Sequence, residues 1–179
     1  MALSFLSFLF FLLLTPFTLS APPYRYYLKS PSNNLYLSSS MTFNGRTNYV
    51  LLTNSSLAQP LTLYEGDGSI TLDTSNVIGA SSQAPILLAD TDGLSNIYKQ
   101  VVLGDQMSGR YTTGFEIDDE SGGLVLNKEG FGGFVACTAA RGIKQVYWYQ
   151  EGEGEQGMPV ICEEVVFRRE WHLNGTESA

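Results

Sequence analysis

The stretch FGGFVACTAARGIKQVYWYQ, residues 131–150, has the pattern of two β-strands joined by a turn. Apolar and aromatic residues dominate 132–138 and 144–150, and small residues and a glycine separate the two runs. Short runs rich in β-branched and aromatic residues, bounded by turn residues, are typical of strands. We therefore predict a strand pair here, in which the neighbouring glycines allow a turn or a bulge beside the aromatic residues.

The same alternation of short strands and turns continues along the chain. Asn44-Gly45 and Asp67-Gly68 are hairpin signals, because these dipeptides tolerate the positive φ of tight turns. No convincing amphipathic helix interrupts the pattern. The sequence predicts an all-β fold, a single compact antiparallel barrel or sandwich of about ten to twelve short strands, with a β-trefoil-like arrangement as the variant. The other predicted strands are 24–30, 35–43, 47–54, 61–65, 69–73, 86–89, 97–103, 112–117, 123–127 and 160–171.

The N-terminal residues have the order of a secretory signal peptide. An uncharged apolar run from Leu3 to Leu14 precedes a polar stretch that ends in small residues. This run is shorter than the roughly 20 apolar residues that span a bilayer. We expect cleavage after Ser20 or Ala21. The chain then divides into a signal peptide (1–20), a secreted all-β domain (21–171) and a flexible C-terminal tail (172–179).

The charge balance is acidic, with 18 Asp and Glu against 10 Lys and Arg and a formal net charge of −8. This balance argues against nucleic acid and anionic membranes as partners, because phosphate binding relies on Lys and Arg. It supports solubility. After signal cleavage we expect a monomer with no membrane contact.

The chain has two cysteines, Cys137 and Cys162, which allow one pairing. In the oxidising environment outside the cell we expect a disulfide between them. By closing a loop of the chain, this disulfide would stabilise the folded state by about 3 kcal/mol in the chain-entropy model. Two N-glycosylation acceptors, Asn54 and Asn174, fit the same compartment, although Asn174 lies close to the C-terminus.

The residues offer little material for catalysis or metal binding. The single histidine, His172, lies in the predicted tail, where it cannot be held against a nucleophile. Asp90, Asp92 and Asn96 resemble the start of a calcium loop, but the downstream glutamate is missing. We predict no catalytic residue, no metal and no cofactor.

A glycosidase would need a pair of carboxylates, and the densest acidic cluster is EIDDE at 116–120. Glu116 and Asp118 would share a face if the strand extends that far. The cluster leads into a turn, however, and a catalytic acid needs a partly buried site to raise its pKa. We interpret the cluster as a solvated turn and keep an acidic glycoside hydrolase as an alternative.

Three consecutive aromatic residues, Tyr147, Trp148 and Tyr149, give the candidate ligand-binding site. Strand alternation places Trp148 in the core with Val146, and Tyr147 and Tyr149 on the opposite face. Outward aromatic rings on a sheet suit sugar binding by stacking, but we favour the simpler interpretation that they cover the second sheet of a sandwich.

The two ends of the predicted domain resemble a family of small secreted ascomycete proteins of unknown function, and more distantly the phialide-development cell wall proteins. The motifs that carry the resemblance are YLKSPSNNLYLSSS at 27–40, FGGFVAC at 131–137, RGIKQVYWY at 141–149 and PVIC at 159–162. The resemblance implies secretion, an all-β fold and a Cys137–Cys162 pair, and it implies no established activity.

Three functional hypotheses follow. The first is a secreted, non-catalytic fungal protein of the extracellular space or the cell wall. The second is a lectin-like carbohydrate-binding module, whose surface aromatic residues would bind cell-wall polysaccharide. The third is the acidic glycoside hydrolase.

Overall fold

The computed structural model describes residues 25–40, 49–76, 82–92, 97–104, 107–152 and 158–171. These residues form thirteen β-strands and two short 3-10 helices, at Ser55–Leu57 and Ala140–Gly142. None of the described residues belongs to a helix with the length and apolar character needed to cross a membrane. The predicted all-β class is confirmed.

The strands are short and follow one another closely. Their bounds are β1 Arg25–Ser30, β2 Leu35–Ser39, β3 Val50–Thr53, β4 Leu61–Tyr64, β5 Ser69–Asp73, β6 Gln83–Asp92, β7 Lys99–Leu103, β8 Phe115–Ile117, β9 Leu124–Leu126, β10 Phe131–Thr138, β11 Lys144–Gln150, β12 Cys162–Val165 and β13 Arg168–Glu170.

Most strands join one large antiparallel sheet whose pairings close on themselves. The closed path runs β11–β3–β2–β1–β4–β5–β6–β7 and returns to β11. Strand β11 makes this closure possible because it changes partner along its length. Lys144 and Gln145 pair with β3, whereas Tyr147 and Trp148 pair with β7. A closed path of this kind is the barrel form of the predicted fold.

The remaining strands pair outside this closed order, although several of them contribute residues to the main core. Strand β10 pairs with the free edge of β11, and β12 pairs with β10. Strand β13 pairs with β1, and β8 and β9 form a separate two-stranded sheet. The predicted strand pair at 131–150 is confirmed as the β10–β11 hairpin. Its register shifts between Phe131 and Gly133, which is the predicted bulge.

The buried residues form two clusters, one on each face of the β10–β11 hairpin. The main cluster fills the closed path and includes Phe134, Ala136, Val146 and Trp148. The smaller cluster lies on the other face of the hairpin. Its residues are Tyr98, Val135, Cys137 and Tyr147, with Ile97, Tyr149 and Cys162 packed against them.

The last predicted strand, 160–171, is corrected to two strands. Strand β12 lies along β10, and β13 lies along β1 on another part of the sheet. The chain changes partner between them, while Phe167 stays in the main core against Phe134, with ring centroids 5.5 Å apart. The apolar alternation therefore continues across a break in pairing, which explains why one run of sequence looked like one strand.

Candidate functional site

The two cysteines are bonded to each other, as predicted. Cys137 on β10 and Cys162 on β12 are directly opposite in the strand register, and a disulfide joins them. Cys137 is buried in the smaller core cluster. The bond therefore fastens the outermost strand of the sheet to its neighbour and leaves no thiol for chemistry at Cys137.

Trp148 belongs to the main core. The side chain is 1 % exposed, and the indole Nε1 donates a hydrogen bond to the backbone oxygen of Ala89 at 3.1 Å. The ammonium groups of Lys99 and Lys128 lie 5.1 Å and 4.9 Å from the centre of a Trp148 ring. These contacts cover the indole ring, so neither of its faces is accessible to a ligand.

Tyr147 and Tyr149 lie on the opposite face from Trp148, as the alternation predicts. That face is not an open platform. Tyr147 is 7 % exposed within the smaller core cluster. The ring of Tyr149 covers the bulge, since a Cβ built on Gly132 would lie 2.6 Å from a ring carbon. On this face Tyr147 is buried within the smaller cluster and Tyr149 is partly buried against it, while a sugar-binding role for residues 147–149 stays a prediction.

The acidic cluster is a surface turn. The side chains of Glu116, Asp118, Asp119 and Glu120 are all exposed. Hydrogen bonds from Ser121 lower the pKa of Asp118, and a general acid in a glycosidase needs the opposite shift. Among the described residues there is no group of three or more side chains that could hold a metal ion.

One of the two predicted glycosylation acceptors is described. Asn54 is exposed immediately before the first 3-10 helix, and its side-chain oxygen accepts a hydrogen bond from the Ser56 hydroxyl at 2.6 Å. An acceptor asparagine must be reachable at the surface, and Asn54 meets this condition. Asn174 and His172 lie outside the described residues.

A polar cleft lies where β13 meets β1 and the turn that follows β1. Its volume is about 340 Å³, at the small end of the range for ligand pockets. Pro31 supplies the one apolar side chain of the lining. The lining residues are Lys29, Pro31, Asn34, Arg168, Arg169 and Glu170. Three lining residues are positive and one is negative, although the guanidinium of Arg169 lies over the Trp171 ring, so Lys29 and Arg168 make this a basic spot on an acidic protein.

The strand register explains why these side chains converge. Lys29 on β1 is opposite Tyr36 on β2 and opposite Arg168 on β13. Directly opposite residues in antiparallel strands share a face, so the three side chains form a row across the sheet. Glu170 is opposite Tyr27 in the next row.

Glu170 contacts two side chains of this row, Tyr36 and Lys29. The Tyr36 hydroxyl donates to one oxygen of its carboxylate at 2.5 Å, and the Lys29 ammonium lies 3.4 Å from the other. Burial would lower the pKa of Lys29, but its contacts with Tyr36 and Glu170 outweigh burial and raise that pKa. Arg168 is exposed and forms no ion pair with a described carboxylate.

The aromatic ring that does reach the surface nearby is Trp171, at the end of β13. Its side chain is 46 % exposed. The guanidinium carbon of Arg169 lies 4.6 Å from the centre of its ring, and the Tyr26 ring meets it edge-on at 6.0 Å. Arg169 is opposite the core residue Leu28, so this stack lies on the other face of β13 from Arg168.

The sequence interpretation did not select Lys29, Arg168, Arg169 or Trp171. A signal was present, because RREW at 168–171 is the only place in this acidic chain where two basic residues are adjacent. The pairing of β13 with β1, which brings Lys29 to Arg168, joins residues from opposite ends of the domain. No local pattern reveals such a contact.

The comparisons with known proteins give a family and no function. A family model described as "Domain of unknown function (DUF7907)" matches residues 15–171, so the chain belongs to this family. No curated protein and no solved structure matches the chain.

Proposed function

We propose that this member of a family of unknown function is a secreted, non-catalytic protein that acts in the extracellular space or the cell wall of a fungus. The observation that carries the proposal is the Cys137–Cys162 bond inside the smaller core cluster. Structural disulfides persist in oxidising compartments and are rare in the cytosol. A fold with a bridge in its core therefore suits a protein that matures outside the cell.

Other features support the same compartment. The N-terminal apolar run has the length of a signal peptide, and the acceptor asparagine Asn54 is exposed. The fungal source and the wall association rest on the resemblance of the two ends of the domain to small secreted ascomycete proteins. The non-catalytic role is supported by the exposure of Glu116 and Asp118, because exposed carboxylates lack the environment that tunes a general acid.

The proposal can be tested by expressing the full chain in a fungal host and analysing the medium by mass spectrometry. We expect a mature N-terminus at Ala21 or Pro22, a peptide pair linked through Cys137 and Cys162, and a glycan on Asn54. An Asn54→Gln variant is the matched control for the glycan mass. Retention of the chain in the cell with its N-terminus intact, or free thiols in the secreted protein, would contradict the proposal.

A lectin-like carbohydrate-binding module is the second candidate function. The observation that favours it is the exposed ring of Trp171, which could stack on a sugar. Retention of the secreted protein on insoluble chitin and β-glucan tests this candidate. We expect Trp171→Ala to abolish retention and Tyr149→Ala to leave it unchanged. Equal retention of wild type and Trp171→Ala would refute the role of this ring.

A further inference from the structure

We infer that the cleft between β13 and the turn after β1 is a binding site for an acidic sugar, one that carries a carboxylate and neighbouring hydroxyl groups. The inference names a ligand class and goes beyond the proposed secreted, non-catalytic role. It uses the face of β13 opposite Trp171. The residues that carry it are Lys29, Asn34, Arg168 and Glu170.

The carboxylate is assigned to Arg168. Its guanidinium offers a planar set of donors that matches a carboxylate with two parallel hydrogen bonds. No described carboxylate already occupies this donor set, and the side chain is exposed. Lys29 lies beside it in the same row and adds a second positive charge. The nearest negative group on the lining, Glu170, is already engaged by Lys29 and Tyr36.

The hydroxyl groups are assigned to the polar wall of the cleft. Asn34 is exposed and carries an amide that both donates and accepts. Asn34 has a left-handed backbone with φ of 59°, which presents the end of the turn at the cleft. A lining that is polar apart from Pro31 suits a small hydroxylated ligand better than an apolar one.

The Tyr36–Glu170–Lys29 contacts prepare the site before a ligand arrives. Tyr36 is 2 % exposed, so its hydroxyl holds Glu170 from a fixed position within the sheet. Lys29 is held in turn by Glu170 and lies 5.3 Å from the centre of the Tyr36 ring. Side chains ordered in advance lose less conformational entropy on binding.

The test is a titration of the secreted, ¹⁵N-labelled protein by NMR with three probes. A galacturonate trimer should shift the amide signals of residues 29–34 and 168–170, whereas a neutral galactose trimer and inorganic phosphate should not. Raising NaCl from 50 to 500 mM should weaken binding, because the partly exposed charges are screened. This salt test needs no substitution and stands even if a variant fails to fold.

Two arginine variants sharpen the assignment. Arg168→Ala should weaken binding of the galacturonate trimer about tenfold or more, since a charged hydrogen-bond pair is lost. Arg110→Ala removes another exposed arginine, which lies outside the cleft, and should leave the affinity within about twofold. Thermal unfolding of both variants checks the fold.

Each remaining outcome overturns the inference. Equal binding of the neutral and acidic trimers would show that the charge is not used. Binding of phosphate without the galacturonate trimer would assign the cleft to a simple anion. Shifts that stay unchanged in Arg168→Ala, or no shifts with any probe, would remove the site while leaving the proposed secretion and disulfide intact.

Discussion

The β10–β11 hairpin and the β1–β13 pair differ in what covers their second face. Both turn one face to the main core. The other face of the hairpin is covered by the smaller cluster around Cys137 and Tyr147, so aromatic residues are buried on both sides. The other face of β1–β13 carries Lys29, Arg168 and Glu170 and opens into a cleft.

The consecutive aromatic residues of the hairpin therefore mark a strand that is packed on both faces. A strand covered on both faces is apolar or aromatic at consecutive positions, as YWY is at 147–149. A strand with one open face alternates in burial, as β1 does: Tyr26 and Leu28 are buried, whereas Tyr27 and Lys29 are partly exposed. The open face is the one that can meet a ligand.

The largest expected effect separates the two tryptophans. Trp148→Ala should destabilise the protein by about 3–5 kcal/mol, because it leaves a large cavity in the main core. Trp171→Ala should cost about 1 kcal/mol or less, because its ring is half exposed and its stack with Arg169 lies at the surface. Urea unfolding followed by circular dichroism measures both. Similar losses of unfolding free energy for the two variants would contradict the difference in burial between the two regions.

An intermediate effect is expected at the bulge of the hairpin. Gly132→Ala should cost about 1–3 kcal/mol, because the added methyl group would overlap the Tyr149 ring and crowd the backbone carbon of Gln150, 2.9 Å away. In a Tyr149→Ala background the same substitution should cost less, by about 1 kcal/mol. A double-mutant cycle measures this coupling. A cost independent of Tyr149 would show that its ring does not cover the glycines.

The smallest expected effect concerns the charged network of the open region and its dependence on pH. Tyr36→Phe should cost about 1.5 kcal/mol at pH 7, because a hydrogen bond to the Glu170 carboxylate is lost. Burial, and then this hydrogen bond, raises the pKa of Tyr36 above its ordinary value of 10.0. Its contribution is therefore complete below pH 10 and is lost as the pH rises through the folded-state pKa.

The measurement is urea unfolding of wild type and Tyr36→Phe at pH 7, 9 and 10.5, where the gap between them should narrow at the highest pH. Ser38→Ala is the control on the same strand. It removes a 3.0 Å hydrogen bond to the Leu57 oxygen from a group that does not titrate, so its gap should stay constant. A constant gap for Tyr36→Phe as well would contradict the assigned network.

Much of the fold follows from local patterns in the sequence. The strands at 69–73 and 144–150 have the predicted bounds, and the hairpin between β4 and β5 turns at Asp67-Gly68, where Gly68 has a φ of 67°. Turn residues and strand periodicity act over a few residues, so they can be interpreted without the tertiary structure. The disulfide followed from a count of two cysteines.

The candidate site did not follow, because it depends on pairing between distant strands. Whether Tyr147 faces solvent depends on Tyr98, about fifty positions earlier, which packs in the same cluster. The cleft depends on the chain leaving the edge of β10 after β12 and joining β1 as β13. In both cases the contacting residues lie far apart in the sequence, and no local pattern indicates that they come together.

The pairing of β1 with β13 also determines how the domain would respond to mechanical force. Tyr27 is opposite Glu170, so the first and last strands of the domain begin and end at the same place. Tension applied between the two ends would peel these strands apart one hydrogen bond at a time, which requires less force than sliding them lengthwise. Peeling from the C-terminal side would stop at Cys162, because the bond to Cys137 carries the load from there.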